Sequence, residues 1–458
     1  MTDPRQVRGC QDHKFTRRAL ARASAKAVPI PAEALDGLDR FARDGGLTRR
    51  DAMKGGAGMV LMCAAAATLT PRSVMEAAAA QQAQAPDAPI LVSLYLDGGN
   101  DGLNTLVPVA DAQYRALRGP LALGDGTVAL KDTNQFRWHP SLGKLAQLYD
   151  QGKVAVLPAV DYANPDQSHF NSVAYWRTGV VGPSQELTGW LGRTMDVLGA
   201  PDNPLQAVSI SGDLDPVLRS RKAPVGSVYD PGAFDFWIPE VWGKGFDAAY
   251  REASRGRAKG GMKASRDAYA NAFRMVDMLQ PLKVDKEHPL PPTPVAYPDT
   301  DLGRDLRSAA RIMGAGFGTR VVAVSTGGYD THDDQLAEHA DLLSDLSESL
   351  WAFQADIDAR GLAQRVLVMI WSEFGRRPKA NGTGTDHGAG GLLMLVGNRA
   401  NGGIRSEFPG LSRLDDDDNL LVTTEFRTVY SSLLEQFMGV EAGRVLPAID
   451  GARIPLVR

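Results

Sequence analysis

The chain has 458 residues, enough for one large domain or two ordinary ones with a substantial buried core. With 43% hydrophobic and 23% charged residues it reads as a globular protein, and a formal net charge of -4 gives no reason to expect nucleic acid or a strongly anionic partner. Its two cysteines, Cys10 and Cys63, both precede the expected mature start, which excludes a disulfide framework, a thiolate-ligated zinc site and a thiol nucleophile.

Residues 1–46 read as an unstructured N-terminal extension and residues 47–80 as an export signal. Thr48-Arg49-Arg50-Asp51-Ala52-Met53-Lys54 resembles a twin-arginine motif; an apolar run, Gly55 to Leu69, and a cleavable Ala77 to Ala80 follow. The run is too short and alanine-rich for a stable membrane span. The expected partner is therefore the twin-arginine export machinery, and the expected location is periplasmic or extracellular. Residues 81–88 form a Gln/Ala/Pro linker, residues 89–445 a single folded domain and residues 446–458 a C-terminal tail.

Within the domain, Pro89 to Leu96 is a near-continuous apolar run, as in a strand covered on both faces. Helical spacing follows at Asp111 to Leu117 and Pro140 to Tyr149, then a strand at Lys153 to Val160, the stretch Asn164 to Phe170 with an aromatic-bearing helix to Gly179, a helix at Leu187 to Val197 and a strand at Gln206 to Ser211. Asp230 to Trp242 holds Trp237 and Trp242 without a clean period, and Phe246 to Leu282 is polar with a helical pattern. Pro289 to Pro294 is a stiff connector. Helix Asp301 to Gly314, strand Arg320 to Ser325, helix Leu336 to Ile357, strands Leu362 to Ile370 and Leu392 to Val396, and a closing helix Thr423 to Met438 complete the chain. Asp415 to Asp418 reads as a solvated acidic loop. The alternation predicts an α/β fold: a mostly parallel sheet with helices on both faces.

Three strands end in glycines with Asp or Asp/His: Asp97-Gly-Gly-Asn-Asp101, Thr326-Gly-Gly-Tyr-Asp330-Thr-His332, and Trp371-Ser-Glu373-Phe-Gly-Arg376 leading to Asp386-His387. Open α/β sheets place ligands at such ends. Without thiolates, a divalent metal takes carboxylates and imidazoles. Asp330 and His332 are two apart and project to one side on extended backbone. Asp386 and His387 are adjacent and diverge unless the chain turns. Asp101 is preferred over Asp97, because two glycines let the chain turn its carboxylate inward.

Ser168 and His169 stand at a helix start, where free N–H groups and the dipole favour anions. Ser168 could act as an activated nucleophile or merely cap the helix. His169 could be a ligand, a general acid or a packed side chain. Arg376 and Arg377 could hold an anionic substrate or serve as salt-bridge partners. His339 reads as packed on its helix, and His139 and His288 as incidental.

Gly98-Gly-Asn-Asp-Gly-Leu-Asn104, Ser168-His-Phe170, Tyr329-Asp-Thr-His332, Glu373-Phe-Gly-Arg376 and Gly384-Thr-Asp-His-Gly388, behind a twin-arginine signal, resemble the DUF1501 family. The resemblance spans most of residues 88–440. It implies membership of the alkaline phosphatase and sulfatase-like superfamily: a three-layer α/β/α sandwich and a phosphate- or sulfate-ester hydrolase with one or two divalent ions, zinc, manganese or calcium. By that analogy Asp101, Asp330, His332, Asp386 and His387 are metal ligands, and Ser168 stands loosely where a sulfatase nucleophile would; from the residues themselves, His169 and Arg376 are the further catalytic candidates. The substrate is then a small-molecule or polymer ester. The alternative is a non-catalytic exported binding or secretion-associated module that keeps the fold around a structural metal.

Overall fold

The computed structural model describes residues 87–235, 251, 260–447 and 451–458. The expected extension, the export signal, both cysteines, Trp237 and Trp242 lie outside the described residues. In chain order the elements are β1 (Ile90–Asp97), α1 (Gly102–Thr105), β2 (Leu106–Val107), α2 (Ala112–Arg118), β3 (Val128–Leu130), β4 (Thr133–Trp138), α3 (Gly143–Asp150), β5 (Val154–Asp161), α4 (His169–Thr178) and α5 (Trp190–Leu198). Then follow β6 (Ala207–Ser209), β7 (Gly226–Ser227), α6 (Gly260–Leu279), α7 (Asp301–Gly314), β8 (Val321–Gly327), α8 (Gln335–Ala359), β9 (Val366–Trp371), β10 (Arg376–Ala380), β11 (Thr385–His387), β12 (Gly391–Val396), β13 (Gly403–Ile404), β14 (Thr424–Glu425) and α9 (Phe426–Leu433).

The main sheet runs β13-β5-β12-β9-β1-β8-β6-β7, with β14 also on β5. Every pairing is parallel except the two made by β12, so β12 is its one reversed strand among the described residues. β1 sits centrally between β8 and β9. Its side chains alternate between two cores, as the period of two requires. Val92 and Leu94 join α3, α7 and α8; Leu91 and Tyr95 join α4, α5 and α9. Helices therefore cover both faces, and the fold is a three-layer α/β/α sandwich. Each fully buried Leu or Val of β1 contributes about 1.5–3 kcal/mol of apolar burial, which explains why that strand carries no polar alternation.

Some boundaries differ from those the sequence predicts. The helix expected from Leu187 begins at Trp190, after the N-cap Gly189, and Leu187 stays 77% exposed. The closing helix starts at Phe426, because residues 424–425 pair with β5, and Glu425 caps it by accepting from the Arg427 N–H. The strand expected at Leu362 begins at Val366, since Leu362 closes the turn that ends α8. A small β2-β4-β3 sheet and the β10–β11 hairpin have no counterpart in the strand pattern.

What matters for the site is the sheet's C-terminal edge. β1, β8, β9 and β5 all end there, at Asp97, Gly327, Trp371 and Asp161. β12 is reversed, so its first residue, Gly391, lies opposite Val160 at the same edge. Five connections thus converge without any of them crossing the core.

Candidate metal centre

Two glycines set how closely these connections approach. Gly98 has φ +123°, and a Cβ there would lie 2.3 Å from the Asp330 backbone nitrogen. A Cβ on Gly384 would lie 2.2 Å from the His332 carbonyl. The β1 loop, the β8 loop and the hairpin turn can therefore touch only because these positions lack side chains.

At their meeting point stand Asp330, His332, His387 and His169. His332 Nε2 and His387 Nε2 are 3.0 Å apart, and each is 3.0 Å from Asp330 Oδ1. His169 Nε2 faces the other carboxylate oxygen at 3.6 Å. Donor atoms of His169, Asp330 and His387 lie within 4.8 Å of one another. Phe374, fully buried, packs against the His169 and His387 rings at 4.9 and 4.7 Å between centroids.

The opposite ring nitrogens are held from behind. His387 Nδ1 donates to the Gln167 carbonyl at 3.0 Å, and His169 Nδ1 to Glu373 Oε1 at 2.7 Å. His332 Nδ1 faces Asp386 Oδ1 at 3.7 Å. Gln167 has φ +59°, and this left-handed backbone conformation accompanies the carbonyl that meets His387. A carbonyl oxygen can only accept, so His387 carries its proton on Nδ1 and presents the Nε2 lone pair toward Asp330. Anchoring one imidazole nitrogen so that the other points at a common spot is the arrangement of metal-ligating histidines. Tetrahedral zinc–imidazole bonds of about 2.0–2.1 Å put two ligand nitrogens a little over 3 Å apart, which matches the His332–His387 pair. The donor set therefore fits a divalent cation.

Electrostatics agree with the geometry. Burial works against charge on Asp330, but the three imidazoles and Arg376 outweigh it and hold the carboxyl far below its usual range. Burial likewise opposes charge on Glu373, yet His169 keeps its carboxyl low. For His169, burial lowers basicity, while Asp330 and Glu373 reverse this and push its pKa up to about 9. For His387, burial wins over the Asp330 contact and the pKa is lowered, consistent with a neutral ring.

The sequence candidates divide as follows. His332, His387, Asp330 and His169 come together. Asp386 sits at the margin, 54% exposed, accepting from Asn381 Nδ2 at 2.6 Å and reaching only the far side of His332. Asp101 does not join them. It is fully buried, gripped by Arg118 through two 2.7 Å bonds, and accepts from Gln335 and from the Leu103 and Asn104 N–H groups as the N-cap of α1. Those five bonds use its acceptor capacity, so the expected ligand role is replaced by a structural one. Arg376 is also corrected. Its guanidinium, on a side chain 0% exposed, donates to the carbonyls of Gly98, Gly99, Tyr329 and Thr385 and to Asp330 Oδ1. It positions the loops and leaves no clamp for substrate. Ser168 is the N-cap residue of α4, but its side chain makes no capping bond. Asp97 stays exposed and accepts from the Tyr95 hydroxyl at 3.0 Å. His339 is buried, its Nε2 3.0 Å from Asn100 Oδ1.

Glu373, Gln167, Gln335 and Thr385 make contacts for which the sequence assigned them no role, although Glu373 and Thr385 stand inside the quoted motifs. Glu373 is fully buried beneath His169 and accepts from the Gly98 and Gly99 N–H groups. A carboxylate just past an apolar strand was the available signal. For Gln167, whose contribution is a backbone carbonyl, the residue type carries none.

Residues 299–449 match the family described as a protein of unknown function, DUF1501. No curated protein matches the chain in sequence. Among solved structures, it is similar to a sulfatase from Pseudoalteromonas sp., at 12% identity over 84% of this chain and 75% of that one, with a TM-score of 0.33. It is similar to a phosphonate monoester hydrolase from Silicibacter pomeroyi, at 13% identity over 80% and 75%, with a TM-score of 0.33. A lipoteichoic acid synthase from Listeria monocytogenes is similar at 7% identity over 86% and 79%, with a TM-score of 0.36. The matched stretch, residues 299–449, carries Asp330, His332, Glu373, Arg376 and His387.

Proposed function

We propose that this protein is an exported hydrolase of phosphate or sulfate esters that works with one divalent metal ion. The observation that carries the reading is the cluster itself: imidazoles backed at Nδ1, with their Nε2 atoms turned on one ionised carboxylate. Asp330, His332 and His387 would hold the ion. A set of imidazoles with one carboxylate suits zinc or manganese; calcium takes six to eight oxygens, which this cluster does not offer. Such an ion supplies Lewis-acid polarisation of an ester oxygen and a lowered pKa for bound water.

The chain's own groups have distinct tasks. His169, fixed by Glu373, holds a proton at Nε2, facing Asp330 Oδ2, whereas His332 and His387 face Oδ1. Ser168 precedes it with a hydroxyl that caps nothing, and it is the candidate nucleophile. Arg376 keeps Asp330 ionised and the glycine loop in place. Export rests on Thr48 to Lys54, and its test is retention in the cytoplasm after Arg49→Lys/Arg50→Lys. Among the described residues no helix is long and apolar enough to cross a membrane.

The deciding experiment is elemental analysis of protein purified without chelators, beside Asp330→Asn and His387→Ala, with turnover of p-nitrophenyl phosphate and p-nitrophenyl sulfate. The expected result is stoichiometric zinc or manganese in the wild type, lost in both variants, and hydrolysis that follows the metal. Wild-type protein without bound metal, or fully metallated protein inert toward both ester classes, overturns the reading.

A further inference from the structure

Beneath the cluster lies a second set of bonds that the proposed chemistry does not use. Gln335, the first residue of α8, is fully buried and held on three sides. Its backbone N–H donates to the Thr383 carbonyl at 3.0 Å. Its Nε2 donates to Asp101 Oδ2 at 2.6 Å, and its Oε1 accepts from the Thr385 hydroxyl at 2.7 Å. The amide orientation follows from chemistry. Asp101, ion-paired with Arg118, offers only acceptors, so the amide nitrogen must face it and the amide oxygen must face Thr385.

Thr385 links this anchor to both histidine segments. Its N–H donates to the carbonyl of Thr331, the neighbour of His332, at 3.2 Å. Its carbonyl accepts from Arg376 Nη1 at 2.8 Å. His387 ends the same three-residue strand. The hairpin that carries it is weak alone: only Arg376↔His387 and Ala380↔Thr385 are in register, with an irregularity between them. A two-stranded ribbon of that size does not hold a side chain to a fraction of an ångström without support.

We propose that Gln335 and Thr385 are positioning residues that set the approach of His387 to His332, with the buried Asp101–Arg118 pair as their fixed point. The consequence for metal affinity rests on the metal reading above; the positioning itself does not. Removing the amide leaves the hairpin tied to α8 only through Thr383, by the Gln335 backbone bond and by Asp334 N–H to the Thr383 hydroxyl at 3.2 Å. The hairpin then swings relative to the His332 loop.

The test uses the full chain with Gln335→Met, which keeps length without the amide, Thr385→Val, which keeps shape without the hydroxyl, and Thr385→Ser, which restores the hydroxyl. Crystal structures of the metal-free proteins read the His332 Nε2–His387 Nε2 separation, 3.0 Å here. Long-range proton–nitrogen spectra read the tautomers of both rings, and calorimetry with zinc alone reads affinity. Expected are a widened separation and about 10–100-fold weaker zinc binding in Gln335→Met and Thr385→Val, with both properties restored in Thr385→Ser. An unchanged separation and unchanged tautomers in Gln335→Met and Thr385→Val overturn the proposal. Should Gln335→Met fail to fold, Thr385→Val against Thr385→Ser decides it alone. A wild-type protein that binds no zinc or manganese overturns the metal reading instead, and the ring separation still decides the positioning.

Discussion

Two arginine–aspartate pairs lie on either side of Gln335 and Thr385, and they differ in one respect. Arg118–Asp101 is closed: both side chains are 0% exposed, and every acceptor position of the carboxylate is taken by the protein. Arg376–Asp330 is open: the arginine is 0% exposed, but the aspartate is 28% exposed and its remaining neighbours are imidazoles. The residue types and the strand-end location are alike. What separates the two pairs is whether the carboxylate retains an approach from solvent, lined by groups able to share a cation or a proton. The closed pair stabilises the scaffold on which the open one is arranged.

Breaking the closed pair is expected to cost most in stability. Asp101→Ala strands a buried guanidinium and uncaps α1, for a loss of about 3–5 kcal/mol in urea unfolding. A loss under about 1 kcal/mol would show that the pair is not the anchor assigned to it.

The closed side should also be the acid-sensitive one. Burial lowers the His339 pKa to about 3 and the His139 pKa to about 4, and the two rings pack 5.8 Å apart. Both lie below the unfolded value of about 6.5. The unfolded chain therefore takes up protons that the native one refuses. Stability is full above pH 6.5 and falls as pH drops toward 4, with a slope on the order of 1.4 kcal/mol per pH unit for each imidazole. A double His139→Gln/His339→Gln variant should flatten that slope, and an unchanged slope would assign the acid sensitivity elsewhere.

On the open side the order reverses, with small stability effects and large chemical ones. Asp330→Asn should shift unfolding by about 1 kcal/mol or less, because Arg376 keeps its carbonyl partners, while bound metal falls to background. Ser168→Ala should change stability least, within about 0.5 kcal/mol, since its hydroxyl caps nothing. Loss of turnover with metal retained would confirm it as nucleophile; unchanged turnover would give that task to water.

Much of the site was legible because it depends on local spacing. Asp330 and His332, two apart past the end of a strand, do come together, 3.0 Å apart. Asp386 and His387, adjacent, diverge as extended backbone requires, one to solvent and one to the cluster. Asp101 was misread for an equally local reason. Two glycines turn the chain there as expected, but they turn the carboxylate onto Arg118, 17 residues later, through contacts that no short-range pattern encodes. Arg376 stays open in sequence between an anion clamp and a salt-bridge partner, because an arginine beside a strand end is indistinguishable there from one buried under a glycine loop and paired with Asp330.

The apolar runs, their lengths and the helical periods between them were enough to specify a mostly parallel sheet covered on both faces, because burial of strands and amphipathic helices is a short-range property of composition. Tertiary structure alone decided which polar residues face the open side. The reversal of β12, the left-handed Gln167 carbonyl behind His387 and the Glu373 carboxylate behind His169 join residues as far as 242 apart in the chain, Val154 with Val396. The orientation of an imidazole depends on what meets its second nitrogen, and that partner is chosen by the fold rather than by the neighbouring sequence.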